Sequence, residues 1–334
     1  MLKLRNRKSK KIKWGAAGCG KFTEMAFLPT VQLFRRAKTI SLYSADIKRA
    51  KSLADKFGVT NAFDNYDEFL KSDIDAVYIG SANAHHCEQV IKAARAGKHI
   101  LCDKPISVTS EEAYEMVKVC EENNVKFFVN YPYRFHPLVQ KAKELINSQS
   151  VGKLVSINAS FNIHLLPSEN FRYSKSLSGG GAVRDLGTHL LDVFRYLAGE
   201  IVSIEGIMDN VVYQAEVEDY AAGIVKFEKG GYGIFNVSFN SPKAFNRIEI
   251  ICSRGALSIE NLISQKASST KLHILLDGEL KKVFRKRANK MYRCIRSVNN
   301  SILKNAPVEV PGIEGAVNVK LMEQFEQGCT ARKK

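Results

Sequence analysis

Short apolar runs alternate with segments of helical periodicity through the first 130 residues of the chain. Strands are predicted from residue 12 and at 39–45, 61–63, 76–79, 99–102 and 125–129. Between them, apolar residues recur every three or four positions, which predicts helices at 47–58, 66–71, 84–96 and 111–123. Alternation of this kind is typical of a parallel sheet that is covered by helices on both faces.

The pattern changes after residue 154, where strands follow one another with turns between them. Strands are predicted at 155–163, 201–210, 220–227, 232–238, 247–253 and 256–260, and closing helices at 285–303 and 315–328. The predicted fold class is therefore α/β: an N-terminal doubly wound parallel sheet, followed by a C-terminal α+β domain with a large, mostly antiparallel open sheet. Alternation along its strands leaves one face of that second sheet only partly apolar.

Composition narrows the class of protein. No apolar run reaches the roughly 18 residues of a membrane span, and the charged N-terminus lacks a signal sequence, so we expect a cytoplasmic protein without a membrane partner. The seven cysteines are scattered and form no CxxC pair. This predicts reduced thiols and no metal site.

The net charge of +16 is concentrated in two segments. Residues 1–13 carry seven basic residues and no acid, and residues 264–296 carry ten basic residues against two acids, which gives +7 and +8. The first segment is interpreted as a disordered basic tail at 1–11. The second could attract an anionic substrate, a membrane surface or nucleic acid, or it could be a solvated edge of the second domain. A nucleic-acid partner is not expected, because the rest of the chain is near neutral.

A glycine-rich turn follows the first strand. Gly18 and Gly20 begin the pattern G-x-G-x-x-G, whose third position is Thr23 here. Such a turn before a helix places bare N–H groups and a positive helix end beside an anion. The residues predicted to hold a dinucleotide pyrophosphate are Gly18, Cys19, Gly20, Lys21 and Phe22. An ordinary glycine-rich strand–helix turn is the alternative.

The context of the turn favours a dinucleotide. Asp46 stands after the second strand, where a carboxylate would accept hydrogen bonds from the adenosine ribose and repel a 2′-phosphate. NAD is therefore the predicted cofactor. Lys48 and Arg49 follow directly and could hold that phosphate, so NADP stays open. The chain is accordingly divided into the tail, a dinucleotide-binding Rossmann domain at 12–130, and a substrate-binding and oligomerisation domain at 131–334.

Polar residues also follow later strands of the first sheet. Lys104, in Asp103-Lys104-Pro105, stands at the carboxyl end of a strand, where it could donate to a substrate oxygen beside the nicotinamide. Pro105 could be cis. The alternative is an exposed lysine at the start of a loop.

Three glycines at 179–181 precede a predicted helix that carries Asp185 and His189. A spacing of four residues places these side chains on one face, so the carboxylate could orient the imidazole and raise its pKa, as suits an acid or a base. A third ligand for a metal is missing. The alternative is a helix-capping aspartate beside a packed histidine.

These motifs resemble one family. The segments GAAGCG, SANAHH, AGKHILCDKP and NYPYRFHP occur in the order and at the spacings of the glucose–fructose oxidoreductase/inositol dehydrogenase (Gfo/Idh/MocA) family. GGGAxxDLGxH is similar to the substrate-side motif of that family. The resemblance covers nearly the whole chain, with Asp103 in place of the glutamate of the Glu-Lys-Pro signature.

The resemblance implies that Ser81, Asn83 and His86 line the cofactor site. An alternative for His86 is a histidine at a helix start that is satisfied by the backbone. The resemblance also implies a subunit contact through the open face of the second sheet, hence a homodimer or a homotetramer.

The function predicted from these residues is hydride transfer between C4 of the nicotinamide and a secondary alcohol or ketone. The substrate would be a sugar, inositol or related polyol. His189 would take the hydroxyl proton while Lys104 stabilises the oxyanion, or the reverse, and Asp185 would orient His189 or bind a neighbouring hydroxyl. Further candidates for the cofactor or substrate pocket are Arg134, Tyr131, Asn162, Arg172 and Tyr173.

Two other functions stay open at this point. One is a reductase of nucleotide-linked sugars, in which residues 281–296 would contact the diphosphate. The other is a regulatory protein that binds the nicotinamide cofactor, catalyses nothing, and uses its basic segments on nucleic acid.

Overall fold

The computed structural model describes residues 11–167, 170–241, 244, 246–263 and 269–332. The predicted basic tail lies outside these residues except for Lys11, and so do residues 264–268 of the second basic segment.

The first sheet has six parallel strands in the order β3-β2-β1-β4-β5-β6. Their bounds are β1 Ile12–Ala17, β2 Ala37–Tyr43, β3 Asn61–Phe63, β4 Ala76–Ile79, β5 His99–Cys102 and β6 Phe127–Val129. The order reverses between β1 and β4, so the predicted doubly wound sheet is confirmed. Ligands bind at such a reversal, on the carboxyl side of the strands.

Helices follow the strands of the first sheet. They are α1 Leu28–Val31, which extends a π-helical turn at Thr23–Phe27, α2 Ile47–Phe57, α3 Tyr66–Lys71, α4 His86–Arg95 and α5 Ser110–Glu122. Local sequence explains their ends. Asp46 caps the start of α2, Gly58 ends it at φ 63°, and Thr109 forms a capping box with Glu112 at the start of α5.

The second sheet has eight strands in the order β14-β13-β12-β11-β7-β10-β9-β8. Their bounds are β7 Leu154–Asn162, β8 Ile201–Asp209, β9 Tyr220–Phe227, β10 Tyr232–Ser238, β11 Arg247–Cys252, β12 Gly255–Glu260, β13 Thr270–Leu276 and β14 Glu279–Lys286. All neighbours pair antiparallel except β7 and β10, so the mostly antiparallel sheet is confirmed.

The hairpin of β13 and β14 was not predicted. The helix expected from residue 285 begins at Lys290, because residues 285 and 286 belong to β14. The strand β14 is rich in lysine and arginine and forms the edge of the sheet, where charged side chains stay in solvent. Its pairing with β13 across the Asp277–Gly278 turn, where φ is 52° and 81°, decides its conformation.

Helices cover one face of the second sheet. The next helices along the chain are α6 Pro137–Asn147, between β6 and β7, and α7 Lys175–Ser178 and α8 Thr188–Ala198, both between β7 and β8. Along β7, Ile157, Ala159 and Phe161 are buried, and α8 packs against this strand. The opposite face exposes Ile224 and Ile234, which lie directly opposite each other on β9 and β10.

The last two helices return to the first sheet. They are α9 Lys290–Lys304 and α10 Gly312–Arg332. The indole of Trp14 on β1 donates to Oδ1 of Asn299 at 3.1 Å, and the rings of Phe34 and Tyr292 stack at 4.5 Å. The helix α9 therefore packs on residues of the predicted dinucleotide-binding domain, and the division of the chain at residue 130 stays a prediction.

Candidate active site

The glycine-rich turn is held by close packing. Gly18 has φ +91°, and a Cβ at this position would lie 2.5 Å from the backbone nitrogen of Ser81. Its N–H donates to the carbonyl of Tyr43 at 2.9 Å, and its own carbonyl accepts from Oγ1 of Thr23 at 2.6 Å. The threonine that replaces the third glycine thus closes the turn with its side chain. Only glycine fits at position 18.

At Gly20, the same turn has free space beside its backbone. A Cβ at Gly20 would meet nothing nearer than 3.8 Å. Lys21 and Phe22 are exposed, while Cys19 is buried with its thiol directed to the carbonyl of Tyr43. Burial raises the pKa of Cys19 to about 11, so the thiol stays neutral and structural. This bare backbone at a helix start fits the pyrophosphate of a dinucleotide.

Asp46 is exposed and has a second role that the sequence analysis did not identify. Its Oδ1 caps α2, where it accepts from the backbone N–H of Lys48 at 2.9 Å and of Arg49 at 3.4 Å. One carboxylate oxygen therefore fixes the helix start and the other is left for a ligand. The side chains of Lys48 and Arg49 are exposed beside it.

The side chains of the residues after β4 form hydrogen bonds with other groups of the protein. Oγ of Ser81 donates to Gln89, and the amide of buried Asn83 donates to the carbonyl of Ser178, both at 2.8 Å. Both ring nitrogens of fully buried His86 face carbonyl oxygens, of Pro105 at 3.0 Å and of Ser81 at 3.1 Å. The structure thus favours the alternative in which the ring of His86 is hydrogen-bonded by the backbone. The ring positions the Lys104–Pro105 turn and has no nitrogen left to bind a cofactor.

Lys104 lies in the loop after β5, followed by a cis bond to Pro105. Its Nζ donates to the backbone oxygen of Asp185 at 2.6 Å and to Oδ1 of the same residue at 2.7 Å. The lysine side chain is 11% exposed. Asp103 shapes the turn, since its Oδ1 accepts from the backbone of Lys104 at 2.9 Å and from Asn130 at 3.3 Å.

Asp185 links the first domain to the second. It lies in a π-helical turn at Val183–Gly187, directly before α8, where a regular helix was expected. One oxygen accepts from Lys104 and the other pairs with Nε of Arg172 at 3.2 Å. Burial alone raises the pKa of Asp185, but the charges of Lys104 and Arg172 outweigh it and hold the pKa below its usual range. The carboxylate is therefore ionised and shared by two cations.

The side chain of His189 is surrounded by three aromatic rings. Its ring lies 4.9 Å from that of Tyr133, 5.8 Å from Phe161 and 6.4 Å from Tyr131. Its Nδ1 is buried and has no hydrogen-bond partner in the described part of the chain. Burial, then the charges of Lys104 and Lys290, lower the pKa of His189 well below 6.5, against the effect of Asp185. The expected rise in pKa is wrong, because these causes outweigh a carboxylate that already binds two cations.

Three predicted pocket residues are directed elsewhere. Asn162 points to the open face of the second sheet, where its amide donates to Asn236 at 3.1 Å. Side chains alternate along a strand, so the preceding Phe161 contacts His189 instead. Arg134 donates to Asp192 at 2.8 Å and pairs with Glu314 in a buried cluster, away from solvent. Tyr173 is buried and donates to the carbonyl of Leu165. We therefore remove all three from the site.

Other residues were missed or have a different role. Tyr131 is fully buried and its hydroxyl lies 2.8 Å from that of Thr188, so it supports α8. Tyr133 and Phe161 were not proposed, although the alternation along β7 could have identified Phe161. Lys290 was noted only as one charge of a basic segment. No group of residues suited to a metal ion occurs within the described ranges, and no helix there is long and apolar enough to cross a membrane.

Comparison with known proteins agrees with this geometry. Residues 12–131 match the family described as "Oxidoreductase family, NAD-binding Rossmann fold", and residues 139–258 match the "GFO/IDH/MocA C-terminal domain". The chain belongs to the Gfo/Idh/MocA family. It is thus a nicotinamide-dependent oxidoreductase, and the predicted enzyme class and cofactor class are confirmed.

Individual Gfo/Idh/MocA proteins extend the match. The D-xylose 1-dehydrogenase [NADP(+)] of Haloarcula marismortui is 31% identical over 75% of this chain and 72% of its own length. The dTDP-3,4-didehydro-2,6-dideoxy-alpha-D-glucose 3-reductase of Saccharopolyspora spinosa is 23% identical over 94% of this chain and 95% of its own. The crystal structure of an aldose-aldose oxidoreductase from Caulobacter crescentus has the same fold, with a TM-score of 0.88, 21% identity, and coverage of 97% and 98%.

Proposed function

We propose that this enzyme transfers hydride between C4 of the nicotinamide and a secondary alcohol or ketone of a sugar, inositol or related polyol. The observation that carries the proposal is the contact between Lys104 and Asp185, which are 81 residues apart. It brings the lysine that follows β5 together with the helix that bears His189. A nicotinamide bound at the carboxyl end of the first sheet would reach this junction.

The residues around the junction have distinct roles. Lys104, held in place by Asp185, donates a hydrogen bond to the reacting oxygen and stabilises its developing negative charge. His189 is neutral, so it can accept the hydroxyl proton in the oxidation direction. Arg172 fixes the second oxygen of Asp185. When bound, the nicotinamide accepts or supplies the hydride.

A carbohydrate substrate is supported by the names of the relatives, among them the D-xylose dehydrogenase. NAD is the proposed cofactor, because the exposed carboxylate of Asp46 would compete with a 2′-phosphate for the ribose edge. NADP stays an alternative, since Lys48 and Arg49 stand beside Asp46 and the xylose dehydrogenase is named for NADP. We further propose a homodimer or homotetramer that is formed through the open face of the second sheet.

A reductase of nucleotide-linked sugars is the second candidate, favoured by the near full-length match to the dTDP-sugar 3-reductase. Neutralising Lys281, Lys282, Arg285 and Arg287 together should then raise KM for such a substrate. An unchanged KM would count against this candidate. A regulatory protein without catalysis is disfavoured, because Lys104, Asp185 and His189 are brought together around one junction.

The decisive experiment is an absorbance screen for reduced nicotinamide, with both cofactors and a panel of sugars, inositols and their keto forms. Turnover of at least one polyol or its keto form is expected. Stoichiometric cofactor binding without turnover across the whole panel, together with salt-dependent DNA binding, would instead favour the regulatory alternative.

A further inference from the structure

One lysine of the basic segment 264–296 is directed toward the site, unlike its neighbours. Lys281 and Lys282 are exposed on the edge strand β14, and Lys281 pairs with Glu279. Lys290 is the first residue of α9 and is partly buried. The change from β14 to α9 at residues 287–289 thus turns the chain from a solvated edge toward the aromatic residues around His189.

The position of Lys290 is defined by contacts on two sides. Its Nζ donates to the carbonyl of Leu262 and lies 4.8 Å from the ring centroid of Tyr133. The same Tyr133 ring is 4.9 Å from the ring of His189. The charge of Lys290 is also one of the causes that lower the pKa of His189. Lys290 therefore lies against Tyr133, one of the aromatic residues that surround the proposed base.

The ammonium group of Lys290 has no carboxylate as an ion-pair partner among the described residues. Within the described residues, no acidic side chain lies at ion-pair distance from it, and burial lowers its pKa to about 8. A carbonyl and the face of an aromatic ring compensate a partly desolvated cation only in part. By contrast, Lys104 and Arg172 share Asp185. Three cations, Lys104, Arg172 and Lys290, thus stand near His189 against the single carboxylate of Asp185 that the first two share.

We propose that Lys290 is a specificity-determining residue that binds an anionic substituent of the substrate, so that the preferred substrates are sugar acids or sugar phosphates. A carboxylate or a phosphate next to Tyr133 would give Lys290 the charged hydrogen-bond partner that the protein itself does not provide. This inference rests on the proposed function, because it concerns the same pocket and the same reaction.

The test compares sugars that differ in a single group. Glucose, glucuronate and glucose 6-phosphate are assayed as matched substrates with the full-length enzyme, together with galactose and galacturonate. The variants are Lys290→Met, Lys290→Arg and, as a surface control on the same helix, the exposed Lys304→Met. Both kcat and KM are measured, and the affinity of each sugar for the NADH-bound enzyme is determined by calorimetry.

The wild type should prefer the anionic member of a pair by roughly 10- to 100-fold in affinity, as expected for a hydrogen bond to a charged group. Lys290→Met should abolish this preference through KM, Lys290→Arg should restore most of it, and Lys304→Met should keep it. Preference for glucuronate alone or for glucose 6-phosphate alone identifies the anion as a carboxylate or a phosphate.

Equal affinity for neutral and anionic sugars in the wild type would overturn the inference, and so would a preference that survives in Lys290→Met. Either result leaves the proposed function intact if neutral sugars are turned over. Calorimetry keeps the two questions separate, because it reports the preference even when no sugar of the panel is turned over.

Discussion

At the scale of single residues, the site depends on one buried ion pair. The side chains of Lys104 and Asp185 are 11% and 16% exposed, and Arg172 completes the arrangement. A buried pair costs desolvation of both charges, so its net contribution to stability is small, while the loss of one partner leaves the other unpaired. We attribute its presence to positioning the ammonium group of Lys104.

The Lys104→Ala variant tests that role. Turnover should disappear, since the variant lacks the ammonium group that would stabilise the developing negative charge, whereas the dissociation constant of NADH should change by no more than about a few-fold. Steady-state kinetics and fluorescence titration of NADH measure the two quantities. Retained turnover in Lys104→Ala would refute the assignment of this residue.

Buried histidines make stability depend on pH. Burial, together with the charges of Lys290 and Arg293, lowers the pKa of His136 from 6.5 to about 4, and burial also lowers the pKa values of His86 and His189. Below pH 6.5 the unfolded chain binds protons that the folded protein excludes. The free energy of unfolding therefore decreases as the pH falls from this value.

The His136→Asn variant isolates one of these groups. Asparagine can keep the cap that His136 provides to the backbone N–H of Leu138, while removing the titration. Relative to the wild type, the variant should gain about 1.4 kcal/mol of stability for each pH unit below the ordinary pKa of histidine. Urea unfolding between pH 7 and about 4 measures the difference. The exposed His85→Asn is the control, and parallel pH profiles of wild type and His136→Asn would contradict the assignment.

At the scale of elements, each of the two segments that lead into the site contains a π-helical turn. Thr23–Phe27 follows the glycine-rich turn, and Val183–Gly187 carries Asp185. Such turns widen the helix by one residue and often occur at functional sites. In the second, the wider turn lies directly before α8, and the backbone oxygen of Asp185 within it accepts from Nζ of Lys104 at 2.6 Å.

The two glycines of the turn should have separable effects. Gly18→Ala combines a positive φ with a Cβ at 2.5 Å from backbone, so it should cost about 2–4 kcal/mol of stability. Gly20→Ala has room for its Cβ and should fold normally, but should weaken NADH binding by about tenfold or more, because the methyl group occupies the approach of the pyrophosphate.

Thermal or urea unfolding and NADH titration of both glycine variants provide the comparison. Each variant serves as the control for the other. Normal NADH affinity in Gly20→Ala would show that the cofactor does not approach this turn.

At the scale of the whole molecule, the second sheet has two unlike faces. One packs on α8 and includes Phe161 at the site, and the other exposes Ile207, Ile224, Tyr232 and Ile234 by between 47% and 61%. Apolar side chains of this size on neighbouring strands are typical of an interface. Hence the open face is the surface on which we expect subunits to associate.

The Ile234→Lys variant should prevent this association. A charge in the centre of an apolar contact is desolvated without a partner, so the variant should elute with a monomer mass in size-exclusion chromatography with light scattering. Leu33→Lys places the same charge at an exposed leucine of the first domain and should not change the mass. An identical oligomer in wild type and Ile234→Lys would exclude this face as the interface.

The sequence by itself determined the features that depend on neighbours along the chain. The strands of the first sheet and the turn at Gly18 follow from local periodicity and from glycine geometry. The cap at Asp46 is equally local, since the side chain bonds its own helix, although the sequence analysis did not identify it. Local sequence did not predict β14, because its residues lack the alternation of apolar and polar positions that distinguishes a strand from a charged, solvated segment. Its conformation comes from pairing with β13.

Only the tertiary structure decided the electrostatics of the site. Asp185 is four residues from His189, yet its carboxylate binds Lys104 and Arg172, and the pKa of His189 falls where the spacing suggested a rise. Likewise Asn162 and Arg134 carry suitable polar groups but point away from the pocket, while Lys290 points toward it. Burial and the distance between charges set these properties, and both arise from contacts between residues that are remote in the chain.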